Sequence, residues 1–355
     1  MNNYKNAAHP KVLIVAMSGI GNMLMQTPLI KRLKEANPTA EISILVAPRG
    51  TKDVLKANTN VKNIFQGNAK PKFKQWLEMV KNIRKEKFDI GIVSYPGQLV
   101  TSSSILHFGN VNQRIGNLYD YYFLKQCSLF LNTALPEKPV HDVEQNLNLL
   151  SSLGIETNSQ NCTYDFPLTA EDLSIADKFL TESKLTEEKY IGIHPGTNAD
   201  LIYKRWPTER WVRLADRLTE KYNAKILIFG GPEENSLKAT IKKNMRHKAY
   251  GVSLPLRATA ALISKCSFFV SNDSGLMHIS VSQNVRTFGL FGPTDEKRTA
   301  PWGPLGHVLR AEGTKPTYDV TKLRQIKNQH SVDTSMLALS EDFVLNGIET
   351  SLSNF

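Results

Sequence analysis

Short apolar runs that each end at a polar or glycine-rich turn recur along this sequence, and this repetition constrains the fold more than any other feature. The clearest example is SFFVSNDSGLMHIS, residues 267–280. Ser267–Val270 is typical of a strand that a parallel sheet buries on both faces. Residues 272–274 are turn and N-cap types, and helical spacing resumes at Leu276. The stretch is therefore predicted to form a strand, a tight turn and a helix.

The turn in this stretch is a candidate seat for an anion. Gly275 falls in the first helical turn, where the missing side chain lets a ligand approach the backbone. The first N–H groups of a helix have no partner within it and carry partial positive charge. Ser274 and His278 are four residues apart and share one helix face. Since strand–turn–helix units occur in every α/β protein, these residues alone leave an ordinary turn and a structural histidine equally open.

The first half of the chain alternates in the same way. Strands are predicted at Lys11–Met17, Glu41–Ala47 and Phe88–Ser94. Helices are predicted after residues 18–22, with Pro28 near the start, and at Phe73–Glu86. A βαβαβ order favours a doubly wound parallel sheet.

A second alternation begins after an irregular polar stretch, Asn158–Pro167, which is predicted to be a linker. We expect domains at residues 1–168 and 169–330, with a helical tail at 331–355 that packs back on the body. Two such domains place a ligand cleft between the carboxyl ends of two parallel sheets. The strands expected in the second half are Tyr190–His194, Ala224–Phe229, Ser267–Val270 and Arg286–Phe291. The helices expected from residue 95 onward are Ser102–Phe108, Asp142–Leu153, Ala170–Ser183, Pro207–Tyr222, Glu233–Met245, Ala258–Ser264, one from Ser274, and Met336–Leu352.

Composition is that of a globular chain with a preference for anions. The net charge is +11, which suits nucleotides, phosphorylated glycans or an acidic membrane face, although a generic solubility role stays equally open. Three scattered cysteines without a C-x-x-C motif indicate a reducing compartment. The first apolar run, VLIVAM, is too short for a signal peptide or a membrane span, so a cytoplasmic protein is expected.

Five predicted strand ends carry glycine-rich or polar turns that together would line one cleft with backbone N–H groups. Lys204 and Arg205 would add two cations to it. The five turns are residues 19–22, 194–197, 230–233, 272–275 and 292–295.

Two familiar site types are disfavoured, each by two mismatched positions. Gly19-x-Gly21 lacks the third glycine of a dinucleotide fingerprint because Leu24 stands there, and Pro48-Arg49 replaces the acidic residue that a ribose requires. A serine-hydrolase elbow would need glycine at positions 272 and 276, which are Asn and Leu.

Metal chemistry has little support in the sequence. Neither H-x-x-x-H nor C-x-x-C occurs, and no D-x-D pair is present to hold a metal–diphosphate. Charge on a leaving diphosphate would then have to be met by Lys204, Arg205 and helix N-termini.

Over about residues 11–310 the sequence resembles glycosyltransferase family 9, the ADP-heptose:lipopolysaccharide heptosyltransferases and their relatives. The order and spacing of several weak motifs carry this resemblance. They are SGIGN at 18–22 with Thr27-Pro28, IHPG at 193–196, KRWP at 204–207, GGPEE at 230–234, VSNDSGLMH at 270–278 and FGPTD at 291–295.

The resemblance implies a GT-B fold, with two Rossmann-like doubly wound domains facing across a cleft, the acceptor in residues 1–168 and the donor in 169–330. It also implies an inverting, metal-independent transfer from a nucleotide sugar, usually ADP-heptose, to a glycolipid or surface glycan, with no cofactor and no nucleic acid. Lys204 would neutralise phosphate charge, and Thr197 is a further candidate phosphate contact. Either Glu233 or Glu234 would lie near the nucleoside. The residues implied to hold the donor diphosphate are Asp273, Ser274, Gly275 and His278.

One position departs from the family pattern. The acceptor-side turn, Gly19 to Gly21, is usually followed by an Asp that is the proposed base for the acceptor hydroxyl, and this chain has Asn22. An amide cannot take the proton. Three explanations are open. Another carboxylate acts as the base, the acceptor hydroxyl is acidic enough to need little help from a base, or the protein only binds nucleotide sugar or glycan. An active transferase in which Asn22 orients the acceptor is the favoured interpretation. A sugar-nucleotide epimerase of the same architecture fits the motifs less well.

The helix expected at residues 73–86 carries many cations. Two interpretations are open: a solvated helix face, or a peripheral contact with an anionic glycolipid or the inner face of the cytoplasmic membrane. The cations on it and before it are Lys70, Lys72, Lys74, Lys81, Arg84 and Lys85.

Overall fold

The structure, a computed structural model, describes residues 4–47, 50–97, 99–118, 126–159, 162–185, 188–317 and 331–353. The chain divides into two compact units, Met1–Pro167 and Leu168–Phe355. Pro48-Arg49, which ends the second predicted strand, lies outside the described residues. So do residues 318–330 and 354–355 of the expected donor domain and tail.

The first unit is built on a six-stranded parallel sheet with strand order β3-β2-β1-β4-β5-β6. Its central strands are apolar runs buried on both faces, as a covered parallel sheet requires. The strands are β1 Lys11–Ala16, β2 Glu41–Val46, β3 Asn63–Gln66, β4 Ile90–Val93, β5 Gln113–Leu118 and β6 Thr133–Pro136. The helices are α1 Ile20–Ala36, α2 Thr51–Leu55, α3 Phe73–Glu86, α4 Leu99–Phe108 and α5 Asp142–Asn148.

The second unit repeats this plan with strand order β12-β11-β10-β7-β8-β9, again parallel throughout. The strands are β7 Tyr190–His194, β8 Lys225–Ile228, β9 Ala249–Gly251, β10 Phe268–Asn272, β11 Thr287–Phe291 and β12 Gly306–Arg310. The helices are α6 Ala170–Glu182, α7 Thr208–Tyr222, α8 Asn235–Asn244, α9 Leu256–Ile263, α10 Gly275–Ser282, α11 Glu296–Thr299, α12 Thr334–Ala338 and α13 Glu341–Ser353.

Each sheet reverses its strand order once, and the motif-bearing turns follow the strands at those points. The reversal lies between β1 and β4 in the first unit and between β7 and β10 in the second. Ligands of doubly wound sheets bind in the crevice beyond the carboxyl ends of the strands at such a reversal. The turns after β1, β7 and β10 are therefore where the fold provides binding sites.

Helix α1 runs through a proline. It begins at Ile20 and ends at Ala36. Pro28 therefore lies at its centre, whereas the sequence analysis expected it near the start. A proline removes the N–H that would bond the carbonyl four residues earlier. Here that carbonyl belongs to Leu24, and the hydroxyl of Thr27 donates to it over 2.7 Å. The side chain before the proline thus satisfies the carbonyl that the missing N–H leaves.

Within the predicted linker, Asn158–Pro167, the described residues 162–167 form neither helix nor strand, and they pack into the first unit. Tyr164 and Phe166 are buried. The backbone N–H of Asp165 donates to Thr27 Oγ1, and the Asp165 carboxylate accepts from Asn58. A linker interpretation was therefore wrong for these residues, which help to close the first unit.

The tail packs on α7 through a row of ion pairs. Arg213, Arg217 and Lys221, spaced at four residues, face Glu341, Asp342 and Glu349 of α13. The single helix expected at 336–352 is instead two helices, α12 and α13. The indole N–H of Trp206 donates to the carbonyl of Leu339, between them. The helix expected at 142–153 likewise ends early, and a 3₁₀ turn continues it from Leu149 to Leu153.

Candidate functional site

Adjacent strands bring the motifs of the second unit together at one sheet edge. β7 and β10 pair in parallel so that His194 lies beside Ser271, and the chain leaves both strands at the same edge. Asn272 is the last residue of β10, and Ser274 is the N-cap of α10. Gly275 is the first helical residue, as the sequence predicts. The turn itself is shorter than expected, since Asn272 belongs to the strand.

The side chain of Asn272 joins two other segments of the second unit by hydrogen bonds. Its side chain is buried, its oxygen accepts from the backbone N–H of Trp206 over 3.2 Å, and its amide donates to the carbonyl of Pro195 over 2.7 Å. One amide thus fixes both the IHPG and KRWP segments to β10. We expected a turn residue here, and only the tertiary contacts reveal this role.

Lys204 and Asp273 form a buried ion pair at the start of α10. The Lys204 ammonium donates to Asp273 Oδ2 over 2.8 Å, and the side chains are 14% and 9% exposed. Burial of the Asp273 carboxyl raises its pKa, but the neighbouring Lys204, its hydrogen bond and His278 together hold the pKa below the usual range. The carboxylate therefore stays charged at neutral pH and fixes the ammonium beside the turn.

A second network runs from Glu234 through His194 to Ser274. The Glu234 carboxylate lies 3.2 Å from Nε2 of His194, and Nδ1 of that ring lies 2.8 Å from the hydroxyl of Ser274. A carboxylate can only accept, so Nε2 carries the hydrogen, and Nδ1 of a neutral ring then accepts from the serine. Ser274 was expected to cap the helix, but its side chain makes no capping bond.

The start of α10 lacks a side-chain cap, which is unusual for a helix that begins at a serine. A serine at the N-cap ordinarily satisfies an N–H of the first turn. Here its hydroxyl is turned to His194 and lies 3.1 Å from Ser271 Oγ. Ser274 therefore does not compete for the first-turn N–H groups, which together with the positive end of the helix dipole are suited to an anion.

The two glutamates of GGPEE occupy different environments. Glu233 is exposed, whereas Glu234 is buried and also accepts from the N–H of Gly231. Burial raises the pKa of Glu234, but hydrogen bonds from His194 and from the N–H of Gly231, together with nearby positive charge, lower it below the usual range. Glu234 is thus held by protein groups, and Glu233 is the one at the surface.

Two further contacts that the sequence did not predict shape the surrounding turns. The buried Lys238 ammonium donates to the carbonyls of Gly230 and Val252, which fixes the glycine turn. Arg205 donates through Nε to the hydroxyl of Thr197, which is itself buried. The sequence names Arg205 as a candidate cation but does not predict its contact with Thr197, and no motif marks the buried Lys238.

The residues expected on the acceptor side lie in the first unit. Gly19 is the N-cap of α1, and Gly21 and Asn22 are in its first turn. Asn22 is half-buried, and no described residue accepts from or donates to its side chain. Near it, the buried Gln26 donates to Ser18 over 3.5 Å, and its oxygen has no partner among the described residues.

Comparison with known proteins decides the family. The family model of glycosyltransferase family 9 (heptosyltransferase) matches residues 76–330. The chain belongs to glycosyltransferase family 9. The matched range holds every site residue of the second unit of this glycosyltransferase and leaves Gly19, Gly21 and Asn22 outside.

Curated and solved relatives of this family cover nearly the whole chain. Lipooligosaccharide heptosyltransferase 2 of Haemophilus influenzae is 25% identical over 361 residues, covering 96% of this chain and 99% of the relative. The family 9 glycosyltransferase of Veillonella parvula superposes with a TM-score of 0.80 at 21% identity, covering 99% of both chains. ADP-heptose LPS heptosyltransferase II of Escherichia coli superposes with a TM-score of 0.77 at 19% identity, covering 97% of this chain and 99% of that one. These likenesses confirm the predicted family and the predicted GT-B class of two Rossmann-like units.

Neither a membrane-spanning helix nor a metal cluster is found in the described part of this glycosyltransferase. No helix there is long and apolar enough to cross a bilayer. No group of three or more His, Cys, Asp or Glu side chains is assembled there that could hold a metal ion. Of the cysteines, Cys162 and Cys266 are buried, and their thiols donate to the carbonyls of Asn158 and Leu262.

Proposed function

We propose that this glycosyltransferase is an inverting, metal-independent enzyme that transfers a heptose or related sugar from an ADP-linked donor to a glycolipid or surface-glycan acceptor. The observation that carries the proposal is the Lys204–Asp273 pair beside the open start of α10. The names of the relatives support the sugar and nucleotide.

The second unit would bind the donor, with its diphosphate at the start of α10. Backbone N–H groups from Gly275 onward would receive the phosphate oxygens. As the sugar–phosphate bond breaks, negative charge grows on the leaving diphosphate, and the Lys204 ammonium is fixed by Asp273 to oppose it. The remaining proposed donor contacts are Thr197, Ser274, His278 and Glu233, with Glu234 acting through His194.

Calorimetry tests the donor site directly. We expect the wild-type protein to bind ADP or an ADP-sugar, and Lys204→Ala to bind it at least about tenfold more weakly, since a charge-assisted contact contributes roughly 1.5–3 kcal/mol. Lys189→Ala, at an exposed lysine of the same unit, is the control. Failure to bind any ADP-, GDP- or UDP-sugar would refute the donor site.

The acceptor would bind in the first unit, against Gly19, Gly21 and Asn22. Inverting displacement needs a proton acceptor for the attacking hydroxyl, and Asn22 cannot supply one. In the active enzyme we assign Asn22 to orienting the acceptor. The alternative, favoured by the same residue, is a protein that binds nucleotide sugar or glycan without turnover.

The substitution Asn22→Asp separates these two functions. A general base typically contributes about 10²–10⁴-fold. In a binding protein without turnover, the aspartate would create a rate where none existed. In an enzyme that meets its proton another way, the wild type turns over and the variant gains less than about tenfold. If Asn22→Ala keeps its turnover and its KM for the acceptor, Asn22 neither orients the acceptor nor limits turnover.

We also place the enzyme at the inner face of the cytoplasmic membrane as a peripheral protein. Its acceptor class is anchored there, and the exposed cations of α3 and the preceding turn suit an anionic lipid surface. No nucleic-acid partner is proposed.

A further inference from the structure

Exposed apolar side chains of this protein are concentrated on one face of the first unit. Large hydrophobic residues left exposed in a contiguous patch ordinarily mark an interaction site. Five of the seven such residues among the described ones lie on α3, α4 and the 3₁₀ turn Gln126–Phe130. They are Phe73 at 73% exposed, Leu77 at 45%, Val100 at 46%, Phe108 at 46% and Leu129 at 78%.

Aromatic contacts join these residues into one surface, here called the aromatic face. Phe73 stacks on Trp76 with ring centroids 6.1 Å apart, and Trp76 meets Phe108 edge-on at 5.3 Å. Phe108 lies 5.7 Å from Phe130. The indole N–H of Trp76 donates to Ser104 on α4 over 3.1 Å, which ties the two helices together. The face is therefore pre-organised and not a set of scattered side chains.

An open groove of about 460 Å³ runs along this face between the starts of α3 and α4. Its apolar wall includes Pro71, Phe73, Trp76 and Val100, and Lys70 lines it as well. A groove with this lining is suited to chains that are apolar along their length and anionic at one end.

Positive charge flanks the apolar surface. Residues 70–87 contain seven Lys or Arg and two Glu, a net charge of +5. Phe73, Leu77 and Lys81 follow one another at four-residue spacing, so apolar and cationic side chains occupy one stripe of α3. Aromatic and aliphatic side chains beside lysines are the composition of helices that lie in the headgroup region of anionic bilayers.

We propose that the aromatic face docks on an anionic bilayer, with Phe73, Leu77 and Val100 entering the headgroup–acyl boundary and the lysines meeting lipid phosphates. This inference rests on the peripheral membrane location in the proposed function. It adds which face of the protein contacts the bilayer, and it makes insertion of apolar side chains, not charge alone, the main source of membrane binding. It does not depend on sugar transfer, since binding is measured without substrate.

Vesicle flotation of the full chain tests the proposal. With vesicles of phosphatidylcholine and 30% phosphatidylglycerol, F73S/L77S is expected to lower the partition coefficient by about tenfold or more. The matched control is L173S/L337S, which changes two exposed leucines of the second unit. Charges are screened within about 3 Å in 1 M salt. If the wild type still binds vesicles in 1 M salt and F73S/L77S does not, insertion of apolar side chains is supported. Equal binding of F73S/L77S and wild type overturns the proposal.

Quenching by brominated lipid chains reports depth. Insertion predicts that brominated vesicles quench part of the tryptophan emission, and that Trp76→Phe removes this quenching while binding persists. Trp206 and Trp211 are buried in the second unit and are not expected to respond. If binding occurs without Trp76 quenching, the contact is electrostatic only and the proposal is wrong. A shift from dimer to monomer in light scattering of F73S/L77S without vesicles would likewise overturn it, by assigning the face to self-association.

Discussion

Gly196 illustrates how the packing around one residue supports the proposed donor site. A Cβ at this position would lie 1.5 Å from Oε1 of Glu234, the carboxylate that holds His194. Because Glu234 is buried between protein groups, it has little room to yield. The glycine of IHPG is therefore required by packing against a residue almost forty positions away.

We expect Gly196→Ala to destabilise the protein by about 1–3 kcal/mol, the usual cost of overpacking. It should also weaken ADP binding, because a displaced Glu234 no longer orients His194 and Ser274. Urea unfolding and calorimetry measure the two effects. Gly251→Ala, where an added Cβ meets nothing within 4 Å, is the control. If the two variants are equally stable, the contact is not a constraint.

The pH dependence of stability follows from the lowered pKa of Asp273. A carboxyl whose pKa is lower in the folded than in the unfolded state stabilises the fold above the unfolded value, about 3.9 for Asp. That contribution is lost as the pH falls through the folded pKa. We therefore expect the wild type to lose stability below about pH 4 in part through Asp273.

Urea unfolding between pH 7 and pH 2.5 checks this expectation. Asp273→Asn should be less stable at pH 7, since Lys204 loses its buried partner, and should lose less stability than wild type on acidification. Asp200→Asn, at an exposed position of the same unit, should follow the wild-type curve. Parallel curves for wild type and Asp273→Asn would contradict the account.

At the residue scale the sequence indicated candidate site residues but not what they contact. Spacing and residue type placed Ser274, Gly275 and Lys204 at the turn. The ring of His194 meets Ser274, eighty residues later, and Glu234, forty residues later. No local pattern encodes such contacts, because strand pairing creates them. The same holds for Asn272, whose amide could equally have capped a turn.

A buried ion pair between helices α6 and α9 fixes the second unit at the element scale. Asp172 accepts from Arg257 over 2.7 Å and also completes the capping box of α6 with Thr169. Burial raises the pKa of Asp172, and Arg257 and Thr169 together lower it below the usual range. One carboxylate thus serves both a helix end and a helix–helix contact.

Asp172→Ala is expected to cost about 3–5 kcal/mol, because it leaves Arg257 buried without its partner. Asp177→Ala on the same helix is the matched control. Its ion pair with Lys265 is exposed, so its loss should cost about 0–1 kcal/mol. Denaturant midpoints at equal m-values give both numbers. Similar midpoints for the two variants would contradict this assignment.

Among the described strands, the sequence predicted seven of the eight interior strands and none of the four edge strands. The strands that the sequence did not predict include all four edge strands, β3, β6, β9 and β12, together with β5. β3, for example, is only half-covered and has polar residues at both ends. Central strands are apolar runs because both faces are buried, whereas a short edge strand needs no such run. Topology, not local composition, therefore defines the edges.

At the scale of the whole molecule, the two units are expected to respond to different substrates. Hydrogen exchange in the presence of ADP should slow in residues 194–205 and 272–282 of the second unit. Residues 18–30 of the first unit should be unchanged until acceptor is added. Peptide-resolved mass spectrometry makes both measurements on one sample, and Lys204→Ala is the negative control. ADP protection confined to the first unit would reverse the assignment of donor and acceptor.

The most direct test of the central claim is turnover. The purified chain is incubated with a panel of ADP-, GDP- and UDP-sugars, with and without an extract of membrane glycolipids, and released nucleoside diphosphate is read by mass spectrometry. The account predicts ADP release from an ADP-heptose that depends on the extract and is lost in Lys204→Ala. Absence of any nucleoside diphosphate above background across the panel would contradict it.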